Sequence, residues 1–132
     1  MKIKPTLLAF AVFLSSFSGA YANEPRWRPI EIDKDISYLI DDQSVLRDGY
    51  SINATLAIKL NKSMHYKDVT FGSASYSVQA QCIQKRLTPK HGVLHADAHA
   101  EGNAVGKEAI SLYRNIVPAT IDQKVIAHLC MN

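Results

Sequence analysis

The residues with the clearest chemical potential are two histidines and an aspartate that alternate with alanines. His95, Asp97 and His99 stand two positions apart in the segment His95-Ala96-Asp97-Ala98-His99. Alternate side chains of a strand point to the same face, so we expect all three on one face of a strand over residues 93–100. Imidazole and carboxylate groups are ligands for zinc and copper, and adjacent members of this set have the spacing to chelate a metal.

Distance argues against one metal held by all three side chains. The two histidines would be about 13 Å apart along a straight strand. His91 or Glu101 would therefore have to fold back to complete a site. The alternative interpretation is a solvated strand face with no cofactor, because structural zinc sites have tighter ligand spacing. The first interpretation predicts a periplasmic metal- or haem-binding protein.

A basic pair, Lys85-Arg86, closely follows Cys82 and is a candidate site for an acidic ligand. The alternative is that it forms a solvated strand end. No motif for catalysis accompanies it: the sequence has no Gly-x-Ser-x-Gly, no phosphate-binding glycine loop and no His-Glu-x-x-His. We therefore predict that the protein is not an enzyme.

Two cysteines, Cys82 and Cys130, are present. An even number in an exported protein indicates a disulfide, and with two cysteines only one intrachain pairing exists. Two buried free thiols are the alternative. A bridge would stabilise the fold by roughly 3–4 kcal/mol according to the chain-entropy treatment of loop closure.

The first 22 residues have the three parts of a secretory signal peptide. Lys2 and Lys4 supply the basic start, residues 6–17 form a short apolar run, and Ala20-Tyr21-Ala22 is a small-x-small cleavage pattern. The run is shorter than the ~20 residues that span a bilayer. We expect cleavage after Ala22 and no membrane span afterwards.

Residues 23–132 are then long enough for one domain. Removal of the leader, which contains no acidic residue, lowers the formal net charge from +3 to +1. Neither this charge nor an exported location favours a nucleic-acid partner. No cysteine follows the apolar run to carry a lipid anchor, so we expect a periplasmic or secreted protein.

The stretch over residues 50–60 indicates a long strand with one buried and one wet face. Its even positions are apolar or aromatic and its odd positions are nearly all polar. A half-wet strand predicts an antiparallel sheet that is covered on one side. Residues 74–84 predict a second such strand, on which Cys82 shares the core face with Tyr76 and Val78.

The other elements are predicted from shorter signals. Strands are expected at residues 36–40, 45–47 and 93–100; turns at residues 41–44, 48–49 and 89–92; and a loop over residues 61–72, with a strand piece at 69–71. Residues 104–115 are ambiguous between strand and helix, and we favour a strand in their later part.

The C-terminus carries the clearest helix pattern. Thr120 is placed to cap its start and Asp122 lies in the first turn, where the helix dipole favours an acid. Ile121, Val125 and Leu129 form an apolar stripe with a period of four residues. Cys130 stands at the edge of this stripe, so a disulfide would tie the helix to the strand that carries Cys82.

A set of residues in a fixed order gives the chain a family resemblance. It comprises Tyr38, Asp41, Ser44, Val45, Arg47, Gly49, Tyr76, Cys82, Lys85, Arg86, Pro118, Ile121, Val125 and Cys130. With these residues the chain resembles the surface-adhesin protein E family of bacterial exported proteins. The resemblance covers about residues 38–130. Two features depart from the family pattern: the lipoprotein cysteine is missing, and Tyr113 stands where a tryptophan is expected.

The resemblance implies an antiparallel sheet with a disulfide-fastened C-terminal helix, which agrees with the periodicity. The fold prediction is therefore an α+β domain: five to six antiparallel strands, with the helix packed on one face. The family's named member engages host extracellular-matrix proteins and self-associates. This implies a non-enzymatic adhesin-like protein that binds an extracellular-matrix or envelope protein.

The predicted interaction surface is the wet sheet face or a free edge strand, and edge pairing also permits a homodimer. Two alternatives stay open at this point. One is the metal- or haem-binding protein described above. The other is a small inhibitor of a hydrolase that inserts a loop at residues 89–92.

Overall fold

The strand with alternating polarity lies near the centre of a six-stranded sheet in a computed structural model of the chain, which describes residues 26–100, 104–108 and 110–131. The elements in chain order are β1 (Trp27–Ile32), β2 (Ile36–Asp48), β3 (Ser51–Tyr66), β4 (Val69–Gln81), β5 (Arg86–His95), β6 (Ala104–Glu108), α1 (Ile110–Ile116) and α2 (Ala119–Cys130). Neighbouring strands pair in chain order, all antiparallel. The predicted fold class is confirmed. The predicted signal peptide lies outside the described residues.

The two helices supply apolar side chains to the core on one side of the sheet. The even positions of β3 from Ile52 to Leu60 are buried there, as the alternation predicted. From α2, the side chains of Ile121, Val125 and Leu129 are 1%, 0% and 2% exposed, which confirms the predicted stripe. Tyr50 is 76% exposed, because it belongs to the turn that precedes β3 and not to the strand.

Two buried tyrosines join the sheet to the helices. The rings of Tyr76 in β4 and Tyr113 in α1 meet edge-on, with their centroids 5.1 Å apart. Gly92 pairs with Tyr76 across the ladder, and a Cβ at this position would lie 2.4 Å from the ring atom Cε2. Because Gly92 has no side chain, the ring of Tyr76 can occupy this space.

The hydroxyl of Tyr113 donates a hydrogen bond to Oδ1 of Asp122 over 2.7 Å, and this bond connects α1 to the first turn of α2. Burial raises the pKa of both groups above their usual values. The hydroxyl of Tyr38 likewise donates to the carbonyl of Ile116 at the end of α1, over 2.6 Å. The hydroxyls of Tyr38 and Tyr113 are thus each buried beside an acceptor.

The disulfide joins Cys82 to Cys130, with 5.6 Å between their Cα atoms and 48 residues of separation. Cys82 stands directly after β4, and its N–H still donates to the carbonyl of Tyr50 over 3.2 Å. The bridge therefore ties the last turn of α2 to the end of the central hairpin. The predicted pairing is confirmed.

Several predicted turns and loops are strands in the structure. β1 was not predicted from the sequence. It is an edge strand, and proline is tolerated there because its missing N–H breaks no hydrogen bond of the kind that a central strand needs on both sides. β3 continues through Tyr66, so the prediction of a loop over residues 61–72 is wrong, whereas the strand piece predicted at residues 69–71 is confirmed as the start of β4. The extension of β3 is largely exposed, with polar residues on both faces, and therefore has no apolar alternation to reveal it.

The predicted turn at residues 41–44 lies inside β2, as an insertion in the ladder. Asp41 pairs with Thr55 and Leu46 with Asn53, so four residues of β2 face a single residue of β3. Ser44 stabilises the insertion, because its hydroxyl donates to the carbonyl of Asp41 and accepts the N–H of Thr55. The turn-forming residues at 41–44 do mark an irregularity in the backbone, but strand β2 continues on both sides of it.

The predictions for β5 and the segment after it also need correction. Residues 89–92 lie within β5, and the turn instead occupies residues 82–85, so no hydrolase-inhibiting loop forms at 89–92. The strand ends at His95 and the chain folds back onto β4. A Cβ on Gly72 would be 2.9 Å from the carbonyl of Ala96, and the hydroxyl of Ser73 donates to the carbonyl of Asp97 over 2.6 Å.

The last two corrections concern the helices. The later part of residues 104–115, where a strand was favoured, belongs to the helix α1, and the strand β6 lies in the earlier part. α2 begins directly after Pro118, whose extended backbone precedes the first turn, and no side chain caps it. Thr120 is therefore inside the helix, because Pro118 sets the boundary that was assigned to the threonine.

Replacement of both cysteines, Cys82→Ser with Cys130→Ser, is expected to lower the free energy of unfolding by about 4 kcal/mol, because the bridge closes a 48-residue loop. Urea denaturation at neutral pH measures this change. Reduced wild type serves as the control and should match the variant. Equal stability of variant and oxidised wild type would contradict the prediction.

Candidate binding surface at the disulfide end

Exposed apolar side chains converge on the end of the molecule that carries the disulfide. We call residues 46–51, 81–86 and 130–131 the disulfide end. The described residues expose six large apolar side chains, and four of them lie here: Leu46, Tyr50, Ile83 and Met131, with exposed fractions of 68%, 76%, 66% and 81%. Exposed apolar patches are typical of interaction surfaces, so this end is a candidate for one.

Covalent and backbone bonds connect the segments that carry three of these side chains, those of Tyr50, Ile83 and Met131. Ile83 and Met131 each directly follow a cysteine of the disulfide. Tyr50 is joined to Cys82 through the backbone hydrogen bond of 3.2 Å. Gly49, at φ +65°, forms the tight turn that leads into Tyr50. The apolar groups are therefore held on a firmly connected part of the backbone.

A groove of about 550 Å³ runs beside α2 at this end. Its walls are formed by Cys82, Lys85, Gln123, Ile126, Ala127, Cys130 and Met131. Of the predicted basic pair, Lys85 thus lines the groove, whereas Arg86 pairs with Gln81 at the start of β5. The arrangement offers apolar contact area with a cation at its margin.

A second cleft, of about 530 Å³, lies on the opposite flank of α2. Its walls are formed by Arg28, Asp42, Val45, Arg47, His128 and Leu129. We call this the arginine cleft. The insertion in β2 supplies Asp42 and Val45, so the irregular ladder is what brings these side chains beside the helix.

Asp42 is the centre of the hydrogen bonding in the arginine cleft. Nε of Arg28 donates to its Oδ2 over 2.8 Å, and Nε2 of His128 lies 3.0 Å from its Oδ1. Burial acts to raise the pKa of Asp42, but the hydrogen bonds from His128 and Arg28 outweigh it and hold that pKa below its usual value. An ionised carboxylate only accepts, so Nε2 of His128 carries a proton.

A model of the surface-adhesin protein E family matches residues 27–131. The chain belongs to the surface-adhesin protein E family. No curated protein and no solved structure matches it. Membership implies a surface or exported protein that binds a ligand without catalysis. In the described part of the chain, no helix of this adhesin E domain is long and apolar enough to cross a membrane.

The histidine segment of this family member is arranged differently from the prediction. His95 is 8% exposed at the end of β5, and its Nε2 lies 2.9 Å from the hydroxyl of Ser75. Asp97 and His99 lie in the bend that follows, where a carboxylate oxygen of Asp97 accepts the N–H of His99 over 2.8 Å. The three therefore do not share a strand face.

The described ranges contain no group of three or more His, Cys, Asp or Glu side chains that could hold a metal ion. His91 is on β5, where its ring lies 3.3 Å from the hydroxyl of Ser77. Glu101 lies outside the described residues. Metal or haem binding through this segment stays a prediction.

Sequence reasoning missed both the apolar disulfide end and the arginine cleft. The first had a usable signal, because a predicted bridge between Cys82 and Cys130 also brings together the large apolar residues that follow them. The second had none, since Asp42 and His128 are 86 positions apart and neither stands in a recognisable motif.

Asp42→Asn is expected to cost about 1 kcal/mol of stability at pH 7, because it removes two charge-assisted hydrogen bonds at a partly exposed site. The folded protein holds the Asp42 pKa below 3.8, so this stabilisation is present above pH ~4 and is lost as pH falls through the folded pKa. Urea unfolding at several pH values between 3 and 7 measures it. Asp68→Asn, in the β3–β4 turn, is the control. A difference between wild type and Asp42→Asn that persists undiminished at the lowest pH would contradict this account.

Proposed function

We propose that this protein is an exported, non-enzymatic adhesin that binds a protein ligand through its disulfide end. The observation that carries the proposal is the position of four of the six exposed large apolar side chains of the described residues at the disulfide end, where Met131 also lines an open groove. Aromatic and methionine side chains are enriched at protein interfaces, and Tyr50 and Met131 are of these types. The ligand is an extracellular-matrix protein or an envelope protein.

Preorganisation supports the use of this end for binding. The disulfide and the tight turn at Gly49 fix the backbone that carries the apolar side chains. Binding then costs little backbone ordering, and more of the contact energy remains as affinity. Lys85, at the margin of the groove, adds attraction for acidic groups of the ligand.

The sheet face that was predicted from the sequence offers less. Its middle includes Ala57 and Ser73, both 0% exposed, and the bend after β5 lies against Ser73. A ligand on this face would reach fewer side chains than the alternation suggested. The disulfide end instead presents its apolar groups directly to solvent.

A homodimer formed by edge pairing stays a prediction. Within the described residues, β1 and β6 each have a strand on one side only, and they are short, with 6 and 5 residues. Short edges provide few backbone hydrogen bonds for a second chain. We also propose that the protein acts in the periplasm or after secretion, as its predicted leader indicates.

The proposal predicts a loss of binding when the apolar end becomes polar. The double variant Ile83→Ser with Met131→Ser should raise the Kd for its ligand at least tenfold, because removal of central apolar contacts costs more than ~1.4 kcal/mol. Biolayer interferometry against purified extracellular-matrix and envelope proteins measures the Kd. The control, Ile32→Ser, changes an apolar residue that is 64% exposed at the opposite end of the sheet.

Two outcomes would overturn the assignment. One is that wild type binds none of the extracellular-matrix and envelope proteins tested. The other is a double variant that binds the ligand as tightly as wild type. Near-equal melting temperatures of the three proteins would show that the change is in the surface and not in the fold.

A further inference from the structure

Cationic side chains from three elements converge on the arginine cleft. Arg28 comes from β1, Arg47 from the end of β2, and His128 from the last turns of α2. The walls of the cleft contain one carboxylate, Asp42. We propose that the arginine cleft binds a carboxylate group of the protein ligand, as a second recognition site on the other flank of α2. This inference rests on the proposed function for the source of the carboxylate.

Asp42 orients the guanidinium of Arg28 without using all of its donors. Its contact with Arg28 employs only Nε, and the terminal nitrogens of Arg28 make no hydrogen bond within the described residues. The Arg28 side chain is 58% exposed, so an incoming group can reach these nitrogens from solvent. A guanidinium presents its donors in a planar fork that matches the two oxygens of a carboxylate.

The charge balance favours a single negative group. The side chains that line the cleft carry a formal charge of +1 with His128 neutral and +2 with it protonated. The end of α2 contributes partial negative charge, and Arg47 meets it by donating from Nη2 to the carbonyl of Leu129 over 3.3 Å. Lys124, one turn before His128, is ion-paired with Glu31 and adds no net charge nearby.

The shape of the cleft suits the side chain of a glutamate or aspartate. A volume of about 530 Å³ holds such a side chain with its adjoining backbone. Val45 and Leu129 line the wall beside the charged groups, where they can contact methylene groups of the incoming residue. The cleft therefore combines apolar contact with a cationic end.

Fluorescence anisotropy with a labelled hexaglutamate peptide tests the site directly. Arg28→Gln should raise the Kd at least tenfold. Lys62→Gln, which removes an exposed cation from the far end of β3, should leave the Kd within twofold. A Kd in Arg28→Gln equal to that of Lys62→Gln would overturn the proposal.

Two further arms separate this inference from the proposed function. The double variant Ile83→Ser with Met131→Ser should still bind hexaglutamate with wild-type affinity, because its changes lie on the other flank of α2. Loss of peptide binding in that variant would overturn the separate carboxylate site. Arg28-dependent binding of a sulfated oligosaccharide in the absence of peptide binding would overturn the carboxylate assignment.

Discussion

The fit of α2 against the apolar side of the sheet is the interaction on which the other features depend. Three buried side chains of the helix enter the core, and the disulfide fixes its last turn to the end of the central hairpin. Both candidate surfaces are flanks of this helix. If α2 moved, the groove beside Lys85 and the cleft around Asp42 would both lose a wall. The bridge therefore maintains binding surfaces as well as stability.

Polar groups in the core are arranged to support the same helix. Tyr113 is buried, and its hydroxyl would be costly to bury alone. Asp122 supplies the acceptor, and in doing so connects α1 to the start of α2. Gly92 leaves space for Tyr76, whose ring meets that of Tyr113. These residues fix the start of α2 as the disulfide fixes its end.

The two flanks of α2 differ in chemistry, and this difference suits recognition of a protein. One flank is apolar with a lysine at its margin, and the other holds two arginines and a histidine around a single aspartate. Apolar contact provides affinity, whereas charged groups provide specificity and faster association. A ligand that reaches both flanks would contact the helix from two sides.

The sequence by itself determined the parts of the fold that depend on local period. Alternation in residues 50–60 defined the central strand, the four-residue stripe defined α2, and the two cysteines defined the bridge. The same residues, taken in order, also indicated the family. Binding to a surface without catalysis followed from that membership and not from any site residue.

Tertiary structure decided where the ladder continues and which side chains remain in solvent. β1 and the end of β3 are strands because neighbouring strands pair with them, although their sequences lack the alternation that burial of one face imposes. The bend after His95 exists because the backbone packs closely on Gly72 and Ser73. The arginine cleft joins residues 86 positions apart. Its formation depends on an inserted segment in β2 meeting a helix, and local sequence does not encode a contact of that range.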